Sequence, residues 1–268
     1  MDSLVFFADV LGFSELSRQG ASSGAARALD DIALLFSDHQ EIAQHLNAGS
    51  PWTERYGLSD SIVLLALDPV AAVTAASEFF FDLAWLNVAT PEQRVLMRGS
   101  ITRGDVKKVP PIFKETGTAN VIGEAVVRAV LMEKSGAKGP RLLIDDGVAH
   151  AIADAPCAWL IDRAESIPEV LWLLPVDPTG DLFRLRAIAE GIVRSFLAAE
   201  GAAAIHYVAY VDLLIRSLTR LRQHREQEAL ALVTRIHLDA IEARLEDILS
   251  RDAPLEHRAL RRLRKLRV

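Results

Sequence analysis

The stretch Phe6-Phe7-Ala8-Asp9-Val10-Leu11-Gly12-Phe13-Ser14 carries the first decision about this chain. An apolar run ends on an acid, and a glycine turn then leads into residues with helical spacing. That order places a carboxylate at the end of a buried strand, beside the free N–H groups of a helix start. Such a helix start can take phosphate oxygens while the carboxylate takes a divalent cation. Taken alone, the same string also describes an aspartate that merely caps a helix.

Outward from this string, residues 4–8 read as a short buried strand and 13–46 as helical material broken at Gly20 and Gly24. An apolar run at 61–67 suits a second buried strand, Pro69 opens a helix through about Val88, and 95–102 with Val106 gives another extended segment. A helix is expected over 124–134, and strands over 142–144, 158–161 and 171–174. The order approximates β-α-β-β-α-β with trailing strands, an α/β (α+β) chain of ferredoxin-like arrangement. The turn cluster Asp177-Pro178-Thr179-Gly180 separates this part, 1–176, from a last part, 177–268. There apolar residues recur at helical spacing, as in Leu230, Val233, Ile236, Ala240, Leu245 and Ile248, so an α-helical C-terminal appendage is expected. Its closing cations, Arg258, Arg261, Arg262, Arg264, Lys265 and Arg267, read as a solvated helix end rather than an anchor for acidic lipid or nucleic acid.

Composition narrows the classes. Half of the 268 residues are hydrophobic, which supports a substantial core and excludes disorder. The formal net charge of −6 argues against a protein that coats nucleic acid, so an anionic ligand must meet locally placed cations. The single Cys157 excludes an internal disulfide and a cysteine-rich zinc site, and fits a reducing, cytoplasmic setting. No window holds the roughly 18 uninterrupted apolar residues expected of a membrane span. His39 and His45 are spaced to different sides of a helix and read as surface residues, while Phe79, Phe80, Phe81 and Trp85 fill a helix face.

A second carboxylate follows in Arg55-Tyr56-Gly57-Leu58-Ser59-Asp60-Ser61-Ile62-Val63, in a turn just before a buried strand. Two carboxylates at strand ends can converge on a metal pair. With FADVLGFSELS and YGLSDSIVLL both in view, the chain resembles the class III nucleotide cyclases, whose catalytic domain opens on a FADxxGFxxLS-like string. Leu96-Met97-Arg98-Gly99-Ser100-Ile101-Thr102-Arg103-Gly104 is similar to that family's MRxGIxxG strand, and Asn120-Val121-Ile122-Gly123-Glu124-Ala125-Val126-Val127 to its DxxGxxVN turn. The resemblance implies that Asp9 and Asp60 ligate two divalent cations, Mg²⁺ or Mn²⁺, with the Val10 carbonyl as a further ligand. It implies that Arg98 contacts the polyphosphate, that the amides of Gly12, Phe13 and Ser14 wrap it, and that two copies share their active sites as a homodimer.

The departures from the family concern base and clamp. Tyr56 stands where adenylate cyclases have a base-reading Lys, and Asn120 where they have the base-reading Asp. A phenol narrows the pocket toward a one-ring base, and an amide offers both donor and acceptor. This pattern looks like the pyrimidine cyclases of Pycsar antiphage systems, which implies UTP, with CTP as second choice, and a separate effector that responds to the cyclic product. The family's Asn and transition-state Arg fall on Val127 and Leu131, which cannot bond phosphate; Arg103 and Arg128 are the candidates to supply that charge. The alternatives are an inactive nucleotide-binding regulator and an ordinary adenylate or guanylate cyclase.

Overall fold

The structure, a computed structural model, describes residues 2–13, 22–45, 49–89, 95–110, 120–135, 138–180, 182–248 and 254–267. Its first part runs β1 (Asp2–Val10), α1 (Ser22–His45), β2 (Trp52–Leu58), β3 (Ser61–Ala66), α2 (Pro69–Ala89), β4 (Met97–Asp105), β5 (Lys107–Val109), β6 (Asn120–Ile122), α3 (Glu124–Glu133), β7 (Leu142–Ile144) and α4 (Asp146–Ala151). A 3-10 turn at Pro156–Leu160, β8 (Ile161–Asp162) and β9 (Glu169–Val170) close it. Helices α5 (Phe183–Ala198), α6 (Gly201–His224), α7 (Glu226–Val233), α8 (Leu238–Ile248) and α9 (Pro254–Leu266) follow. The side chains of His39 and His45, and all of Ser14, lie outside the described residues.

The main sheet has the order β2-β3-β1-β4-β7-β9-β8, and β5 pairs with β6 in a separate ribbon. β1 lies antiparallel to both β3 and β4, while β7 joins β4 in parallel. The four strands β2-β3-β1-β4, with helices after β1 and β3, form the expected ferredoxin-like β-α-β-β-α-β unit. Alternation along β1 sorts its side chains between two cores. Leu4, Phe6, Ala8 and Val10 enter the large core that α1 and α2 cover. Val5 and Phe7 enter a smaller one with Val63, Leu65, Ala125 and Ala129, covered by α3. The larger core continues through Trp172 into Leu214 and Leu263 of the C-terminal helices.

Helix α2 is long and apolar enough to cross a membrane by length and composition. Its Ala72, Val73, Ala76, Phe79, Phe80, Leu83 and Ala84 are instead buried inside the molecule. On its other side the Arg184 guanidinium stacks on Phe81 and Trp85, at 4.9 and 5.4 Å from the ring centroids, and binds Asp82. The aromatic cluster is thus core and internal contact, divided between two sides of the helix rather than filling one face.

Three local expectations are corrected. Residues 158–161 belong mostly to the 3-10 turn opened by Pro156, and only Ile161 and Asp162 are strand. Residues 171–174 form a turn closed by the Leu174 N–H on the Leu171 carbonyl at 3.0 Å, with strand confined to Glu169 and Val170 just ahead. Both runs are apolar because they are buried, a property that turn and strand share. β2 was not expected as a strand; its Glu54, Arg55 and Gly57 mask an edge strand whose Trp52 stacks on Phe6 at 5.5 Å.

Charge ties the helices to the far edge of the sheet. Arg216 of α6, 6% exposed, lies 2.9 Å from Asp162, 2.8 Å from Glu169 and 3.1 Å from Asp212. Arg262 of α9 continues the network to Asp212 at 2.8 Å and Glu165 at 2.7 Å. Arg264 and Arg267 pair with Glu242 of α8. Arg262 is therefore drawn into the molecule, while Arg261, Arg264, Lys265 and Arg267 stay exposed as the sequence suggested. Burial alone would push the Asp162 carboxyl up, but Arg216 outweighs it and holds the group below its ordinary value. A carboxyl depressed in this way stabilises the fold above the ordinary carboxylate range and loses that contribution as pH falls through its folded value. Arg216→Leu should cost about 3–5 kcal/mol in urea unfolding at neutral pH, because it strands buried carboxylates. The loss should shrink on acidification, as those carboxylates become neutral.

Candidate active site

At the end of β1, Asp9 pairs with Ser61 of β3 on one side and Arg98 of β4 on the other. The Ser61 hydroxyl donates to Asp9 Oδ1 at 2.7 Å, and Arg98 Nη2 lies 3.9 Å from Asp9 Oδ2. Asp60 immediately precedes Ser61 in the tight β2–β3 turn, where Ser59 takes a φ of 58°. The Val10 N–H donates to the Asp60 carbonyl at 3.0 Å, which locks the turn onto the end of β1. Asp9 and Arg98 thus meet at one end of the sheet, with the Asp9 side chain 22% exposed, and the turn that carries Asp60 is bonded to the residue directly after Asp9. Gly12, at a φ of 75°, and Phe13, packed partly into the core, follow directly.

Among the described residues no cluster of three or more His, Cys, Asp or Glu side chains is placed to hold a metal ion. Mg²⁺ is commonly held by one or two carboxylates together with substrate phosphates. Asp9 and Asp60 supply hard oxygen donors of that kind, and the residues present fit such a cation.

Arg98 is held from behind. Its Nε contacts the carboxylate of Glu133, whose side chain is fully buried at the end of α3. Neither oxygen of Glu133 has a hydrogen-bond partner of good geometry, so this ion pair is what answers its charge. α3 is seated by small residues: Ser100 and Thr102 of β4 donate their hydroxyls to the Ala129 and Ala125 carbonyls, each at 2.7 Å. Gly123 at the helix start has a φ of 148°, and a Cβ there would lie 2.2 Å from the Asp105 carbonyl oxygen. That close approach is why the turn into α3 carries glycine. From the other side, His206 of α6 accepts the Gly139 N–H on Nδ1 at 3.3 Å. Burial, with Lys138 and Arg98 nearby, holds this imidazole below its ordinary value.

Tyr56 lies further along the same face, and Asn120 is on the separate β5–β6 ribbon. Tyr56 pairs with Val63, which pairs with Phe7, two residues before Asp9 on β1. Two strand spacings of ~4.8 Å and two residues of ~3.4 Å put Tyr56 and Asp9 about 12 Å apart. The Tyr56 hydroxyl donates to Glu54, and Lys108 of β5 also binds Glu54. Burial first, and then Glu54, push the Tyr56 phenol up to about 12. Lys108 pairs with Val121, next to Asn120, whose Nδ2 donates to the Pro110 carbonyl at 3.2 Å. Tyr56 and Val121 pack on the same small core.

Arg103 and Arg128 lie elsewhere. Arg103 follows Arg98 by five residues on β4, about 17 Å at ~3.4 Å per residue, and binds Asp2 at 2.9 Å. Arg128 of α3 binds Glu124, the Asp145 carboxylate at 3.2 Å and the Arg103 carbonyl at 3.3 Å. Within one copy the structure does not bring either arginine beside Asp9. Val127 and Leu131 are 57% and 63% exposed on the outer face of α3, beyond Ile122 at 50%. Glu54, Lys108, Glu133 and His206 were not read from the sequence, because the pairs Glu54–Lys108 and Glu133–Arg98 and the contact of His206 with Gly139 join residues distant in the chain.

No family model matches this chain, and no curated protein matches it. Among solved structures, it is similar to the adenylyl cyclase CyaB from P. aeruginosa, with 18% identity and a TM-score of 0.46 over 63% of this chain and 93% of that one. It is similar to the guanylyl cyclase Cya2, with 16% identity and a TM-score of 0.47 over 63% and 89%. A further similar structure comes from the adenylate cyclases of Trypanosoma brucei, with 15% identity and a TM-score of 0.42 over 63% and 87%.

If Arg98 and Glu133 answer one another, Glu133→Ala should lower stability in urea by about 2–3 kcal/mol, and Arg98→Met combined with it should recover part of that loss. Equal loss in the single and double variants would show that they do not.

Proposed function

We propose that this chain is a nucleotide cyclase of the class III type that converts UTP, with CTP as second choice, to the 3′,5′-cyclic monophosphate and pyrophosphate. The observation that carries the reading is the pairing of Asp9 with Arg98 at one end of the sheet, where the turn that carries Asp60 is bonded to Val10. In the reaction the ribose 3′-oxygen bonds to the α-phosphorus, the bond from that phosphorus to the bridging oxygen breaks, and the hydroxyl proton leaves. When bound, two divalent cations, Mg²⁺ or Mn²⁺, would acidify the 3′-hydroxyl and offset the triphosphate charge. Asp9, Asp60 and the Val10 carbonyl would hold them. Arg98, fixed by Glu133, would meet the polyphosphate, and the backbone amides at Gly12 and Phe13 would orient it. Tyr56 and Asn120 would face the base.

The proposal includes a homodimer in which Arg103 and Arg128 serve the partner copy. The exposed apolar residues Ile122, Val127 and Leu131 support a protein contact at that face. The product would act as a second messenger on a separate cyclic-nucleotide-responsive effector in antiphage defence, a role that rests on the likeness of the motifs to the Pycsar cyclases. One observation favours a second reading, an inactive nucleotide-binding regulator: α3 presents Val127 and Leu131 where a phosphate clamp would need polar groups.

Incubation with each of the four ribonucleoside triphosphates and Mn²⁺, with mass identification of products, decides between them. Cyclic UMP as the main product is expected; cyclic AMP or GMP would overturn the pyrimidine assignment, and no cyclic product the cyclase. Asp9→Ala and Asp60→Ala should each lower turnover at least about a thousandfold while the thermal transition stays near that of the wild type. Mixing Asp60→Ala with Arg103→Ala or Arg128→Ala protein should restore activity if the arginines act across a dimer, and light scattering should show two copies per particle.

A further inference from the structure

Tyr56 does not face a ligand with a free hydroxyl. Its O–H donates to Glu54, and Glu54 is kept ionised by Lys108 and Tyr56, which hold its carboxyl below the usual range. With its one proton committed, the phenol oxygen has only lone pairs to offer. Asn120 is oriented too: one N–H of its amide goes to the Pro110 carbonyl, leaving the other N–H and the amide oxygen. Glu54 and Tyr56 sit on the same edge strand, β2, and Lys108 reaches them from the ribbon that carries Asn120.

This arrangement separates two bases of equal size. Uracil presents a ring N3–H donor next to the O4 acceptor. Cytosine presents the reverse, a ring N3 acceptor next to an N4 amine donor. An acceptor-only phenol matches the uracil N3–H, and the remaining Asn120 N–H matches O4. Against cytosine, the Tyr56 oxygen would meet a second lone pair, and a polar mismatch of this kind in a partly desolvated site discriminates strongly.

We propose that Glu54 is a specificity-determining residue: by taking the Tyr56 proton it makes Tyr56 an acceptor and selects a base with a ring N–H, uracil over cytosine. The inference rests on the reading of Tyr56 and Asn120 as base contacts. Glu54 touches no substrate atom in this scheme and acts through Tyr56, so its signature is a preference ratio rather than a rate.

The test compares kcat/KM for UTP and CTP in wild type, Glu54→Gln and Tyr56→Phe, with circular dichroism melts as a folding control. A glutamine amide can give as well as take a hydrogen bond, which frees the phenol to donate to cytosine N3. The wild type is expected to favour UTP, and Glu54→Gln to lower the UTP:CTP ratio at least tenfold, chiefly by raising kcat/KM for CTP. Tyr56→Phe, which keeps the ring and removes the oxygen, should also lower the ratio, but by lowering kcat/KM for UTP. Should Glu54→Gln fail to fold, Glu54→Ala is read in its place with the same expectation, since it also leaves the phenol free to donate. A wild type that prefers CTP, or a folded Glu54→Gln that keeps the wild-type ratio while Tyr56→Phe shifts it, overturns the role of Glu54 and leaves Tyr56 as a base contact. Cyclic product formed with no change of preference in either variant overturns the base-contact reading itself.

Discussion

β1 is hydrogen-bonded along both edges, to β3 through Leu4–Asp9 and to β4 through Asp2–Val10, and every candidate group in the site depends on that double pairing. Because side chains alternate across a strand, a slip of one residue would send Asp9 into the large core and Phe6 to the other face. The slip is prevented by size and polarity together. Phe6 stacks on Trp52 and meets Phe80 edge to face on one side, while Val5 and Phe7 are enclosed under α3 on the other. Two apolar faces hold the strand in place, and the first polar position beyond them, Asp9, is delivered between Ser61 and Arg98.

From that fixed point the face under α3 divides into two zones. Near the end of β1 the charges gather, with Asp9 and Arg98 paired, Glu133 buried behind the arginine and the Asp60 turn bonded to Val10. Further along, charge is arranged in pairs that orient neutral groups: Lys108 holds Glu54, and Glu54 holds Tyr56. Strongly ionic groups suit a polyphosphate, and oriented neutral groups suit a base, whose edge is read by donors and acceptors. The helical part joins this design from behind, through His206 at the loop before β7 and through the Arg216 network at β8 and β9.

Much of the framework was legible because burial writes periodicity. Residues 4–8 and 61–67 are apolar runs bounded by turn residues, and both are strands at the centre of the sheet. β2 was missed because an edge strand needs only one apolar side, and Glu54, Arg55 and Gly57 dilute its signal. The expected strands at 158–161 and 171–174 show the converse: full burial makes a turn look like a strand. Asp9, Asp60 and Arg98 stand in local strings that the sequence alone singles out, and folding brings Asp9 beside Arg98 and the Asp60 turn onto Val10. Glu54 and Glu133 were not singled out, since their meaning lies in Tyr56 and Lys108, and in Arg98, and no spacing along the chain marks an ion pair formed by folding.

The central claim is that Asp9 and Asp60 jointly hold a divalent cation together with a triphosphate. Its most direct measurement is Mn²⁺ binding, followed by electron paramagnetic resonance, with a non-cyclisable 3′-deoxy analogue of UTP present and absent. Binding should tighten markedly when the analogue is added to the wild type, and that gain should vanish in both Asp9→Ala and Asp60→Ala. A gain that survives in either folded variant would contradict the account.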